Sequence, residues 1–393
     1  MEIKSIHWDK SVRELSAQAL HRLCDLDMAY MANTVLPTLL PRCYADDINT
    51  RHGSIIATAE VMYGLAKNGY QFSGNLKMHL ADVIPTIEAK RLYRGKGGEI
   101  VREAVCHFIE RMSLSKFELP GMGDSHEDVV ASSTSTKQLL NIFQDTLNTN
   151  LKHPNEEIIT IAVRAFKEFT SHYYTGSNIA LGRTMVSNYV TILKTDANPE
   201  TRRGYSLALG SVPHQLIDQD TFRSITTILI QKVSIESNPE LHDAESRRNA
   251  VLGLINICET AGVGPVGVNS SNLGAIFSAF LIGTNDYAVD KRGDIGSLVR
   301  EASLQALHRW SKLLCSSATE LFSPDMAATL TSHIIKQAVE KIDRVRDQAG
   351  HILNDLLMSQ TPTIVNIPHQ EALKQLITEE QSGDQSHLID WSS

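Results

Sequence analysis

The stretch Ser11-Val12-Arg13-Glu14-Leu15-Ser16-Ala17-Gln18-Ala19-Leu20 returns almost letter for letter as Leu298-Val299-Arg300-Glu301-Ala302-Ser303-Leu304-Gln305-Ala306-Leu307. In both, an arginine opens an apolar stripe with helical spacing. Three more Val-Arg openings follow the scheme, at Val101-Arg102-Glu103-Ala104, Val163-Arg164-Ala165 and Val345-Arg346-Asp347-Gln348-Ala349. Three looser copies read Arg51-His52-Gly53, Arg203-Gly204-Tyr205 and Arg248-Asn249-Ala250. Steps between these arginines (13, 51, 102, 164, 203, 248, 300, 346) range from 38 residues (51 minus 13) to 62 (164 minus 102). A helical unit recurring at about 40–47 residues is the signature of HEAT or armadillo solenoids. The chain is therefore expected to be all-α, a superhelical stack of about eight helix-pair layers. Function in such a stack lies on a long surface rather than in one cleft.

Each layer should pair a helix A with a helix B that starts at the arginine. Ser323-Pro324-Asp325 supplies a cap, an early proline and an acidic first turn. Leu330, Ile334, Ile335, Ala338 and Ile342 follow at helical spacing, and Asp343 lies near the start of the next helix. That second stripe (Val345, Ala349, Ile352, Leu353, Leu356, Leu357) runs until Thr361-Pro362. Asn198-Pro199-Glu200 opens another such helix, which Pro213 closes. Helix A partners are expected near 27–42, 76–91, 136–150, 178–194, 220–235, 271–284 and 324–339, with long or glycine-rich connections at 114–135, 262–270 and 285–297. Helix 10–24 is a helix B with no helix A before it, and the piece from Gln370 to Thr378 lacks a partner. The chain thus reads as the middle of a longer rod, truncated at both ends, with Val12, Leu15, Ala19 and Leu23 partly open to water. Residues 380–393 carry no sustained period and are expected to be a mobile tail.

Hydrophobic residues make up 42% of the 393 residues and charged residues 21%, enough to bury a core. Net charge is −8 with no long Lys/Arg run, which argues against an electrostatic grip on nucleic acid or an anionic membrane. Cys24, Cys43, Cys106, Cys258 and Cys315 are scattered, odd in number and free of Cys-x-x-Cys spacing, a usage that fits a reducing cytosol. No run of 18 apolar residues and no signal-like leader is present, so a cytoplasmic protein without membrane insertion is expected.

The repeat arginines, Arg13, Arg51, Arg102, Arg164, Arg203, Arg248, Arg300 and Arg346, read as a structural ladder, each bonding the turn or an acidic residue of the adjoining repeat. Tyr93-Arg94-Gly95-Lys96-Gly97-Gly98-Glu99 is basic and glycine-rich before a helix start, but lacks a phosphate-loop consensus and a leading strand. It reads as an inter-repeat turn whose Tyr93, Arg94 and Lys96 are weak partner-contact candidates. Arg292-Gly293-Asp294 is most simply a turn with an acidic helix start, and Arg292 and Asp294 join the same candidate group. The fifteen histidines form no metal-ligand pair; His52, His107, His242 and His351 lie on or beside B helices, where packing or capping is the default. No nucleophile elbow or Cys/His signature appears, so neither a catalytic residue, a metal nor a cofactor is expected.

Several blocks are more specific than the repeat: His7-Trp8-Asp9 with Val12-Arg13-Glu14-Leu15 and Ala19-Leu20-His21; Arg51-His52-Gly53-Ser54-Ile55 with Ala59-Glu60-Val61; Leu92-Tyr93-Arg94-Gly95 through Gly97-Gly98; and Met112-Ser113-Leu114-Ser115-Lys116. Further along come Gly204-Tyr205-Ser206-Leu207-Ala208-Leu209-Gly210, Ala244-Glu245-Ser246-Arg247-Arg248, Asp286-Tyr287 with Asp290, and Glu340-Lys341-Ile342-Asp343-Arg344. In this order they resemble the tubulin-folding cofactor D family, from its middle to its C-terminal part. The resemblance implies HEAT-like repeats over 1–75 and the family's C-terminal domain over 76–379. It also implies a scaffold for late, post-chaperonin tubulin folding. Such a scaffold binds β-tubulin, works with tubulin-folding cofactors C and E under an Arf-like small GTPase, and helps activate tubulin's GTPase without a catalytic site of its own. A cytoplasmic location, with microtubule or centrosome association, goes with that role. The repeat alone equally permits a general cytosolic adaptor, importin-like or phosphatase-scaffold-like.

Overall fold

A computed structural model describes residues 3–95, 97–121, 136–234 and 243–382. Lys96, His242, most of the glycine-rich connection after Gly121 and the tail beyond Ser382 lie outside the described residues. The chain divides into two compact units, Met1–Gly182 and Arg183–Ser393.

In the first unit the helices are α1 (Lys10–Leu23), α2 (Met28–Tyr30), α3 (Leu36–Arg42), α4 (Ile48–Lys67), α5 (Gly74–Ala81), α6 (Val83–Lys90), α7 (Gly98–Leu114), α8 (Thr136–Leu151) and α9 (Glu156–Tyr173). The B helices α1, α4, α7 and α9 pack in sequence against one another, while α3 lies on α4 and α8 on α9. Helix α10 (Ile179–Thr195) follows. In the second unit α11 (Pro199–Gly210), α13 (Ala244–Ala261), α15 (Gly296–Ser317) and α17 (Asp343–Met358) form the B row. Helices α12 (Gln219–Val233), α14 (Leu273–Gly283) and α16 (Pro324–Ala338) each pack on the B helix that follows, and α18 (Gln370–Ser382) packs on α17. Every repeat arginine falls on one of these B helices, and the fold is the expected all-α stack of helix pairs.

Local chemistry sets the starts. Asp9 accepts from the Ser11 and Val12 amides, Asp47 from Thr50, Asn198 from Thr201, Asp243 from Ser246 and Ser323 from Met326, each satisfying orphan donors of a first turn. Two departures from the expected helices trace to proline. The single helix expected at 76–91 is broken between Ala81 and Val83, because Pro85 has no N–H for the Ala81 carbonyl and its ring crowds that carbonyl. Between α2 and α3 the backbone widens to a π turn, Met31–Val35, which ends two residues before Pro37, where the ordinary ladder loses a donor.

The connection expected at 285–297 contains a small antiparallel hairpin, β1 (Val289–Asp290) with β2 (Gly293–Asp294). Helix α4 is buried all round from Arg51 to Leu65 save Tyr63, with α1, α3 and α7 against it. Gly53 lets the Lys4–Ile6 turn lie on α4, since a methyl there would overlap the Ser5 carbonyl oxygen. On α1, Leu15 is 64% exposed and Val12, Ala19 and Leu23 are half-buried.

Candidate functional site

The polar face of each B row is built from the helix caps upward. An arginine four residues after the cap folds back over its own first turn. Arg13, four after Asp9, donates through Nη1 to the His7 and Trp8 carbonyls at 2.7 and 2.8 Å, and through Nε to His52 Nδ1 at 3.0 Å. Arg51, four after Asp47, reaches the Ala45 and Asp46 carbonyls at 2.5 and 3.2 Å. Arg346 reaches the Glu340 carbonyl at 2.9 Å and Asp343 Oδ1 at 2.9 Å. Each such bond closes the turn that leads into helix B.

Arg300 is fully buried, donates to the Asp286 carbonyl at 2.7 Å and to both Asp294 oxygens at 3.1 and 2.9 Å, and lies 4.3 Å from the Tyr287 ring centre. Arg102 donates to Asn150 Oδ1 on α8 at 3.0 Å and covers the Tyr93 ring at 4.4 Å. Arg164 lies nine residues after its cap, Asn155, is 57% exposed and pairs with Glu110 at 2.8 Å. Arg203 pairs with Asp243, and Arg248 donates to Asn249 Oδ1 at 2.9 Å. The buried guanidiniums of α11 and α13 belong instead to their neighbours Arg202 and Arg247, and Arg247 Nε donates to Asp286 Oδ2 at 2.6 Å. Counting four from the caps Asn198 and Asp243 selects them, whereas comparing letters after the doubled arginines does not.

The five weak contact candidates are not brought together. Tyr93 bonds Glu88 through its hydroxyl, and burial together with Glu88 pushes its pKa up to about 12. Arg94 is exposed, and Lys96 lies outside the described residues. Arg292 is held by Asp290, and by Glu245 Oε1 at 2.5 Å; Asp294 is occupied by Arg300 and caps α15 through the Ser297 amide at 3.0 Å.

Between B helices the open face is laced with ion pairs. In the second unit Arg309 pairs with Glu259, Lys312 and His308 with Asp355 at 2.7 and 2.6 Å, and Arg344 with Glu301 at 2.6 Å. In the first unit Lys10 on α1 pairs with Glu103 on α7, arching over α4. Beneath that arch a groove of about 350 Å³ is lined by Lys10, Gln18, His52, Glu60, His107 and Arg164, among others. His52 accepts the Arg13 bond; burial, with Arg13 nearby, lowers its pKa to about 3, so it stays neutral. His107, expected only to pack or cap, sits among carboxylates. His351 pairs with Asp347 at 3.3 Å.

The arrangement can present a broad, pre-ordered polar surface. Among the described residues no group of three His, Cys, Asp or Glu could hold a metal ion, and no helix is long and apolar enough to cross a membrane. Burial pushes the thiols of Cys24, Cys43 and Cys106 up to about 12, which keeps them protonated and poorly nucleophilic.

Residues 328–393 match the family model described as tubulin folding cofactor D C terminal. Tubulin-specific chaperone D of Dictyostelium discoideum is 27% identical over 472 aligned positions, covering 96% of this chain and 32% of that protein. The chain thus spans about a third of that relative's length. Among solved structures, Kap121p bound to Pho4p aligns with 96% of this chain and 39% of its own, at a TM-score of 0.52 and 13% identity. A mutant of Kap121p aligns over the same shares at a TM-score of 0.48 and 14% identity. The likeness to Kap121p bound to Pho4p supports the HEAT-like α-solenoid fold alone. The family model over residues 328–393, the relative aligned with 96% of this chain and the ordered residue blocks make this chain similar to the tubulin-folding cofactor D family.

Proposed function

We infer that this chain is a tubulin-folding cofactor D-like scaffold. It binds β-tubulin and takes part in post-chaperonin tubulin folding and α/β-tubulin heterodimer assembly in the cytoplasm. It works beside tubulin-folding cofactors C and E under an Arf-like small GTPase, and contributes to activation of tubulin's GTPase within that complex. The GTP and the hydrolytic groups belong to tubulin and the assembled complex, and this chain supplies contact area. The observation that carries the reading is the match to Tubulin-specific chaperone D along 96% of the chain. The laced B faces suit the role. Charged side chains already held in place lose little freedom when a partner docks.

Purified chain is mixed with β-tubulin and with cofactor E and resolved by size-exclusion chromatography. Co-elution with β-tubulin is expected. Failure to retain β-tubulin, in conditions where the longer relative retains it, sinks the reading for this chain. Selective retention of basic import cargo or of phosphatase subunits would favour the general adaptor.

A further inference from the structure

Glu60, on α4, faces three groups at once. His21 Nδ1 of α1 is 3.0 Å from Oε2, while His107 Nε2 and Arg111 Nε of α7 are 2.9 and 2.7 Å from Oε1. The second ring nitrogen of His107, Nδ1, lies 3.7 Å from Glu110 Oε2, and Glu110 in turn takes Arg164 of α9 at 2.8 Å. One line of contacts therefore joins four consecutive B helices, α1, α4, α7 and α9.

A neutral imidazole has one N–H and one lone pair, whereas the imidazolium has two N–H groups. Only the imidazolium can offer a proton to both Glu60 and Glu110; the neutral ring must turn a lone pair toward one carboxylate. Both carboxylates are shielded, with side chains 7% and 11% exposed, so the mismatch is weakly screened. We propose that His107 is a pH-sensitive clamp, which in its imidazolium form fastens α4 to α7 through Glu60, with Glu110 of its own helix supporting the charge, and which loosens this contact when it gives up its proton.

The surroundings favour the charged ring. Glu60 and neutral His52 face it from α4; Glu103, Glu110 and Arg111 from α7; Glu157 and Arg164 from α9; Lys10 and Glu14, with His21 beside Glu60, from α1. Helix α8 contributes no groove-lining residue. Five carboxylates (Glu14, Glu60, Glu103, Glu110, Glu157) thus stand against three permanent cations (Lys10, Arg111, Arg164). Burial works against the charge on His107, but Glu110 and Glu60 outweigh it and raise its pKa above the ordinary value. Despite burial, His107 with Arg164 holds Glu110 at about 2, and His107 with Arg111 holds Glu60 below its ordinary value, so both stay ionised. Since the folded pKa exceeds the unfolded one, about 6.5, the clamp's contribution is fully present below about 6.5 and is lost as pH rises through the folded value.

The test uses the full chain with ring-labelled histidine, the His107→Gln variant identifying the His107 resonance. Its midpoint is expected above about 6.5, and Glu110→Gln, which keeps the ring and removes one carboxylate, should lower that midpoint by about one unit. Amide exchange in α4 and α7, corrected for intrinsic rate, should quicken about tenfold between pH 6.5 and 8.5 in the parent chain and not in His107→Gln. A parent midpoint at or below about 6.5, or equal quickening in parent and His107→Gln, overturns the clamp. Should His107→Gln fail to fold, Glu110→Gln serves instead: it keeps the ring, and the absence of any downward shift overturns the clamp.

Discussion

A guanidinium that bonds carbonyls five and six residues behind it closes the turn ahead of its own helix and holds that helix to its layer. The strength of the closure depends on burial. Arg300 is fully buried with both Asp294 oxygens and the Asp286 carbonyl, whereas the Arg346 side chain is 19% exposed and its acidic partner Asp343 72% exposed. Arg300→Ala should therefore cost about 3 kcal/mol, because it empties a fully buried site and takes the charge-assisted donors from the Asp286 carbonyl and Asp294, and Arg346→Ala about 1 kcal/mol. Chemical denaturation of both variants checks this; unfolding of both at the parent's denaturant concentration would mean the ladder is not structural. Among the single arginines, Arg13, Arg51, Arg300 and Arg346 bond the turn ahead of their helices, whereas Arg102 reaches Asn150 and Arg164 is exposed beside Glu110. At Arg202-Arg203 and Arg247-Arg248 two adjacent candidates fit the letters, and only the cap four residues earlier separates them. The Glu60–His107–Glu110 cluster was hidden for another reason. His107 and Glu110 are an i,i+3 pair on one helix, but Glu60 lies 47 residues from His107 and no local period connects it to them.

Helix positions were the most legible element-scale property, since the A helices expected near 136–150, 178–194 and 324–339 lie at Thr136–Leu151, Ile179–Thr195 and Pro324–Ala338. A stripe over four turns, a capping residue and a proline at the first position leave little freedom. Two-residue strands have no period to read, so the 289–294 hairpin was not visible, and Pro85 broke a stripe that remains apolar on both sides of the break. Glycine marks where elements approach closely. Gly253 on α13 lies against the Ser206 carbonyl of α11, and an added methyl there would overlap it. Gly253→Ala should destabilise by about 1–3 kcal/mol through overpacking, visible as a lower melting temperature with faster amide exchange in α11 and α13. An unchanged melting curve would show that the two helices can part without penalty.

At the scale of the whole molecule, a third of a relative's length sets the expectation. A scaffold acts by holding several partners at once, and the contact area it offers grows with the number of its layers. Under the proposed role, these 393 residues should bind β-tubulin but stimulate tubulin GTP hydrolysis, with cofactors C and E added, less than the roughly three-fold longer relative does. Stimulation equal to the longer relative's would show that the rest of that relative's length is dispensable for this step. Helix α4 bears on a different property, the tolerance of the chain to sequence drift. A helix with one wet side accepts almost any residue there, so its substitution record beats with a 3.6-residue rhythm. Along 51–65 nearly every side is packed, roofed by the Lys10–Glu103 arch or occupied by the Ser5 turn. In a saturation mutagenesis library scored by soluble abundance, that segment should form a nearly unbroken band of intolerance, while α9, with exposed Glu157, Thr160 and Arg164 on one side, keeps the beat.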